Sequence, residues 1–382
     1  MSHTSPPEGK RVPIDHAMNL ASQAYHADRL PEAENIYQQI LNEHPNQPVA
    51  LHMMGLIAHQ VGKNDIAAQL MTKAIAAKPD YADAHNNLGI VLQSLGKLED
   101  ALASHQKALA LRPDFAEAHN NMGVALQSLD RLEEAASTYE KAAALKPDYA
   151  EAHYNLGNLY RLLKKPAKAA TYYKYVINIT PDHASAHHGL GITFMETDKP
   201  EEAISSFKKA LSLEPDYAEA HGNLSSALLE LGRAQDALES CRKALQLRPD
   251  NSEIHYSEGN IFKALDQSDK ALISYRRAVS LEPNFVEANF NLANILRELN
   301  HLKSAVAAYR KTLALKPDHG VAHNNLGLTL MDLGDLGKAV ACYQKALSID
   351  PQDSLAHWNL SLGFLRQGDW KGGWAEFDWR LQ

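Results

Sequence analysis

A chain of 382 residues would ordinarily form two or three globular domains. Its composition, 45% hydrophobic and 22% charged with a formal net charge of -8, is that of a soluble protein. The acidic balance, without any Lys/Arg-rich run, argues against nucleic acid as the main partner, and no apolar run approaches the ~18 residues of a membrane-crossing helix.

Residues 1–13 are polar, contain three prolines and lack the apolar core of a secretory signal, so they read as a disordered leader. From residue 14 onward the chain is periodic. Pro45, Pro79, Pro113, Pro147, Pro181, Pro215, Pro249, Pro283, Pro317 and Pro351 follow one another every 34 residues, the period of a stacked helix–turn–helix unit. Such an array grows by adding units rather than by enlarging one core, which overrides the domain count suggested by length.

With each proline placed at slot 32, the repeats begin at Ile14, Pro48, Ala82, Ala116, Ala150, Ala184, Ala218, Ser252, Val286, Gly320 and Ser354. They are numbered 1 to 11 here, and the two helices of each are A and B. Slot 8 is Gly in most repeats (Gly89, Gly123, Gly157) and slot 20 is Ala in the first ten, small residues that let helices A and B approach. Slot 24 is large (Tyr139, Tyr173, Phe207, Tyr275, Tyr309, Tyr343) and is expected to fill the space between units. Pro at slot 32 ends helix B, because it lacks an N–H and restricts the residue before it. The Asp that follows is expected to cap the next helix A, with an acid three positions on completing a capping box, as in Asp80-Tyr-Ala-Asp83.

These slots, with the run Asn-Leu-Gly in helix A, resemble the tetratricopeptide repeat. The resemblance covers residues 14–382, as ten whole repeats and a partial eleventh from 354. It implies an all-α, right-handed superhelical solenoid whose A helices line a concave face, with slots 2, 6, 9 and 13 forming one stripe. Its function is then protein–protein interaction, with an extended peptide in the groove.

Slot 6 of that stripe holds Asn19, Asn87, Asn121, Asn155, Asn223, Asn291, Asn325 and Asn359, broken by Met53, Gly189 and Ser257. Asn is a mediocre helix former, so its recurrence in helix interiors calls for a reason. One reason is a ladder that offers a donor and an acceptor to each peptide unit of a bound chain; the other is hydrogen bonding that staples neighbouring helices. Runs such as Ala84-His-Asn-Asn-Leu-Gly89 resemble the repeats of O-linked N-acetylglucosamine transferases, which implies the first. Slot 2 is acidic in seven repeats (Asp15, Asp83, Glu117, Glu151, Glu219, Glu253 and Glu287), which disfavours a carboxylate-terminal ligand.

Eight histidines stand at slot 4: His85, His119, His153, His187, His221, His255, His323 and His357. Repeats are separated by roughly two interhelical distances of 8–10 Å, whereas a metal holds its ligands at ~2 Å. No metal is therefore expected, and these histidines read as packing positions. Glu258 stands where other repeats have Leu or Met, and is expected to find Lys263 or a tyrosine hydroxyl as partner. Arg161, Lys164, Lys165 and Lys168 form the densest basic patch and read as solvated surface. Cys241 and Cys342, three repeats apart, are too distant for a disulfide, and so low a cysteine count suits a reducing, cytoplasmic setting.

The last repeat differs. It holds all four tryptophans (Trp358, Trp370, Trp374, Trp379), has Gly373 at slot 20 and Arg380 at slot 27. Gly368-Asp-Trp-Lys-Gly-Gly-Trp-Ala-Glu-Phe-Asp-Trp-Arg380 resembles the junction at which bacterial repeat proteins pass into a glycosyltransferase domain. Trp370, Trp374, Phe377 and Trp379 are thus candidates for an interface, either with such a domain or through self-association as a structural scaffold. The chain shows no phosphate-binding Gly loop, His-Glu-x-x-His or nucleophile elbow, so neither cofactor nor catalytic site is expected.

Overall fold

The structure, a computed structural model, describes residues 13–381, with side chains through Trp379. The expected leader lies, apart from Pro13, outside the described residues, as does the side chain of Arg380. Among the described residues there are 22 α-helices, a closing 3₁₀ turn at Asp378–Leu381 and no strand. The fold is an all-α repeat solenoid, as the proline spacing implies. It divides into two compact units, Met1–Pro181 with repeats 1 to 5 and Asp182–Gln382 with repeats 6 to 11.

The same packing scheme recurs in each unit. Helix A packs on helix B of its own repeat and helix B on helix A of the next, while most successive A helices also approach one another. In repeat 4, for example, helix A is Ala116–Ser128 and helix B is Leu132–Leu145. Slot 20 alanines are fully buried in all ten repeats that carry them. The slot 24 ring lies over the slot 8 glycine of its own repeat rather than only in the gap between repeats. A Cβ on Gly123 would sit 2.6 Å from Tyr139, and one on Gly259 only 2.5 Å from Tyr275. Glycine is required there by the buried aromatic ring.

The turn from A to B has a signature of its own. Among the described residues, every residue with a positive φ occupies slot 15: Gly62, Gly96, Gly232, Gly334 and Gly368, with Asp28, Asp130, Asp198, Asp266, Asn300 and Lys164 in the other repeats. Gly, Asp and Asn tolerate the left-handed region; Lys164, at φ 55°, is the exception. Lys164 thus serves the turn, and Lys168 of the same basic patch lies 4.7 Å from the centre of the Tyr160 ring.

The capping expectation is corrected. Helix A begins at slot 1, so its N-cap is slot 34, one residue beyond the expected Asp. Where slot 34 is polar it caps: Gln47, His183, Asn251, His319 and Asp353 each accept from a backbone N–H of the first turn. Where it is aromatic, as at Tyr81, Phe115, Tyr149 and Tyr217, no side chain caps the helix. Three slot 2 acids instead pair with the base at slot 31 of the same repeat: Asp83 with Arg112 (2.6 Å), Glu117 with Lys146 (3.1 Å) and Glu219 with Arg248 (2.6 Å). Arg112 and Lys146 also cover the slot 34 rings of Phe115 and Tyr149. Glu258 takes neither expected partner; it accepts a hydrogen bond from Ser274 Oγ at 2.7 Å. Both cysteines are free, Cys241 buried and Cys342 half-buried.

Candidate functional site

The slot 6 asparagines line the A-helix face of each unit, and their amide groups follow one rule. Asn121 donates from Nδ2 to Oδ1 of Asn86 (3.2 Å), Asn155 to Asn120 (2.9 Å) and Asn359 to Asn324 (2.9 Å). Asn87 and Asn223 donate to Nε2 of His52 and His188, each at 2.8 Å. All these acceptors occupy slot 5 on helix A of the preceding repeat. Asn291 bridges the Tyr256 hydroxyl at slot 5 (3.2 Å) and Asn260 Oδ1 at slot 9 (3.1 Å). Asn325, for which the preceding slot 5 is Phe290 and offers no acceptor, uses Asn294 at slot 9 (3.1 Å). Asn19 stands apart: it is exposed and only accepts, at 3.4 Å, from Gln23 on its own helix.

The acceptors are themselves held. Asn86 Oδ1 also receives Nδ1–H of buried His105 (3.0 Å), and Asn260 and Asn294 receive the hydroxyls of Tyr275 (2.8 Å) and Tyr309 (2.7 Å). Asn120, fully buried, donates to Glu151 Oε1 at 3.1 Å. Because His52 accepts at Nε2, its proton resides on Nδ1 and is donated to the Tyr81 hydroxyl at 3.0 Å. Burial pushes both His52 and His105 down to about 4, which keeps them neutral.

A side-chain amide has two N–H groups and one carbonyl oxygen. The staple uses one N–H. The half-buried Asn121, Asn155, Asn223, Asn291 and Asn325 accept no hydrogen bond at Oδ1 from the described residues, which leaves that oxygen available. Stapling and an open polar edge therefore coexist on the same side chain.

The slot 4 histidines do more than pack. In His85, His119, His153, His221, His255, His323 and His357, Nε2–H donates to the carbonyl of the slot 32 proline six residues earlier, at 2.9–3.1 Å. Each ties the inter-repeat turn to the helix it feeds. Among the described residues no group of three or more His, Cys, Asp or Glu side chains is placed to hold a metal. No described helix is long and apolar enough to cross a membrane.

In repeat 11, the half-buried Trp379 stacks on His357, ring centres 3.9 Å apart, and Glu376 binds His357 Nδ1. Phe377 lies 5.2 Å from both Trp358 and Trp374. Trp370 and Trp374 remain 63% and 55% exposed, the largest apolar side chains so presented.

The break at Ser257, one of two in the second unit, adjoins open space. A hollow of about 370 Å³ lies over Gly222, between Asn223 and Ser257, and meets one of about 290 Å³ at Ser226 and Ser257. The sequence reading missed this hollow and also the slot 5 acceptors, although the doubled Asn of Asn86-Asn87, Asn120-Asn121 and Asn324-Asn325 was a visible signal for the latter.

Comparison with known proteins defines the class. Models described as "Tetratricopeptide repeat" match residues 70–103 and 320–353, and one described as "TPR repeat" matches residues 91–130. A longer model, described as "Cilia and flagella-associated protein 70 C-terminal domain", matches residues 114–325, over half of the chain, and the chain belongs to that tetratricopeptide-repeat family. No curated protein matches the chain. Among solved structures, pilF of Pseudomonas aeruginosa is 23% identical, with 54% of this chain and 94% of that chain covered at a TM-score of 0.50. A tetratricopeptide repeat protein from Parabacteroides merdae ATCC 43184 is 19% identical, covering 65% of this chain and 98% of its own, also at 0.50. YrrB, described as "a TPR protein with an unusual peptide-binding site", is 22% identical over 48% of this chain and 95% of its own, at 0.43.

Proposed function

We propose that this chain is a protein-interaction module that binds an extended segment of a partner along its A-helix face. The carrying observation is the open carbonyl edge of the stapled asparagines. The staple fixes each amide's orientation in advance, so a bound backbone meets a row of preset acceptors and second N–H donors, at reduced ordering cost. Within the first unit Asn121 and Asn155, and within the second Asn223, Asn291 and Asn325, are the contacts; Asn87, whose Oδ1 already accepts from Asn86 at 3.5 Å, Asn359, buried, and Asn19, unstapled, contribute less.

The reading is tested by fluorescence polarisation of unstructured peptides on the full chain. Alanine at Asn121, Asn155 or Asn223, measured far below the melting temperature, should weaken binding about fivefold each, the equivalent of one net hydrogen bond. Backbone N-methylation of the peptide should weaken it at least as much, since it removes the N–H groups offered to the carbonyl edge. Peptides that bind equally well when N-methylated would rule out the ladder.

A second reading is favoured by the exposure of Trp370 and Trp374. Repeat 11 would meet an apolar partner there: a following domain, which the junction resemblance makes a glycosyltransferase with these repeats selecting its protein substrates, or a second copy of the chain. A reading frame continuing beyond Gln382 supports the former, and concentration-dependent mass by light scattering the latter.

A further inference from the structure

At Gly222 and Ser257, as at Met18 and Met53, the ladder lacks both of its partners, but only at Gly222 is the slot 5 side chain missing altogether. Slot 5 carries a side chain in every other repeat, among them His52, Asn86, Asn120, His188 and Asn324; only repeat 7 has glycine there. The slot 6 residue that would reach toward it is Ser257, too short to do so.

Neither backbone nor packing requires this glycine. It lies inside helix A of repeat 7 (Ala218–Glu230) and has no positive φ. A Cβ added there would have one neighbour, Ile254 Cγ1 at 3.9 Å, an ordinary contact. At the slot 8 glycines the same atom would strike a ring at 2.5–2.7 Å or, at Gly55, Met71 Cγ at 2.9 Å. Glycine is also the costliest residue after proline in a helix interior. Repeat 7 thus bears a cost whose visible product is empty space, the hollow of about 370 Å³.

The walls of that space define its occupant. Ile192 and Ile254 supply apolar surface, while Glu219 and Glu253 supply negative charge. Arg248 pairs with Glu219 at 2.6 Å, whereas Glu253 has no ion-pair partner among the described residues. A long aliphatic stem ending in a cation complements both features. We infer that the hollow over Gly222 receives a lysine or arginine side chain of the extended peptide, its stem against Ile192 and Ile254 and its cation at Glu253. The gap in the ladder is then a specificity pocket set within an otherwise sequence-tolerant grip. This inference rests on the peptide-binding reading above.

The test uses the full chain and short unstructured host peptides of Ser, Thr and Ala with one central guest: Arg, Lys, Gln or Glu. Host peptides should bind whatever the guest, and Arg or Lys should bind about tenfold tighter than Gln, the scale of a charge-assisted hydrogen bond. Glu253→Gln should remove most of that preference. Gly222→Asn combined with Ser257→Asn rebuilds a rung inside the hollow; it should raise the melting temperature, keep the Gln-guest affinity and abolish the preference. Equal affinity of Arg, Lys and Gln guests for the native chain, or a preference that survives in the filled variant, overturns the pocket but not the groove. Failure of every host peptide to bind overturns the groove reading and the pocket with it.

Discussion

Replacing Asn155 by alanine separates stapling from mere occupancy of a helix face. Asn155 Nδ2 donates at 2.9 Å to Oδ1 of Asn120, a side chain with 0% exposure. Removing the donor leaves that oxygen buried, and an unsatisfied buried acceptor costs roughly 1–3 kcal/mol. Alanine returns about 0.6 kcal/mol of helix propensity, so the expected net loss is about 0.4–2.4 kcal/mol. Asn19→Ala is the internal control. Its one bond is a long 3.4 Å contact on an exposed surface, so the propensity gain should leave the protein unchanged or slightly more stable. Urea titration followed by circular dichroism gives the two differences. Amide hydrogen exchange in helix A of repeats 4 and 5 shows where the loss falls, which matters because long repeat arrays need not unfold in one step. The staple argument is refuted if Asn155→Ala is as stable as Asn19→Ala.

Acid should destabilise the first unit through two histidines. His52 and His105 are held near 4 in the fold against 6.5 when exposed, so between those values the unfolded chain binds more protons and stability falls as pH falls. The ceiling is about 3 kcal/mol for each, and His105→Phe should flatten the slope of melting temperature against pH between 6.5 and 4. Gly259→Ala should cost about 1–3 kcal/mol, because its Cβ would meet the buried Tyr275 ring at 2.5 Å; a melting temperature equal to the native one would contradict that close approach. Lys164→Gly should stabilise by about 1 kcal/mol, since Lys164 alone among the slot 15 residues is neither Gly, Asp nor Asn at a positive φ; an unchanged urea midpoint would count against strain there.

What the periodicity revealed, and what it concealed, share one cause. Slots determined by a residue's own helix pair were readable from one repeat and confirmed by the next: Pro at the turn, Ala at slot 20, Gly at slot 8. Relations between slots were not readable in that way. The acid at slot 2 has the spacing of a capping box, and only the start of helix A at slot 1 assigns it to the base at slot 31, as in Asp83 with Arg112. The slot 4 histidine satisfies a packing argument equally well whether or not Nε2 reaches the proline carbonyl, so composition could not distinguish the two. Nor could the spacing show that Trp379, grouped by sequence with Trp370 and Trp374, stacks on His357.

The asparagine ladder shows the limit most clearly. A column of Asn can be counted in the sequence, but its two uses compete only if the side chain has a single hydrogen-bonding group, and an amide has three. The structure makes one N–H the staple, which is why slot 5 or slot 9 of the preceding repeat must offer an acceptor wherever slot 6 is a stapled Asn. Reading slots 5 and 6 together then turns an irregularity into a signal. Asn120 with Asn155, and His188 with Asn223, are matched pairs, whereas Gly222 with Ser257 is a matched absence. Two independent losses at one junction, above an open hollow, carry more information about recognition than any single rung.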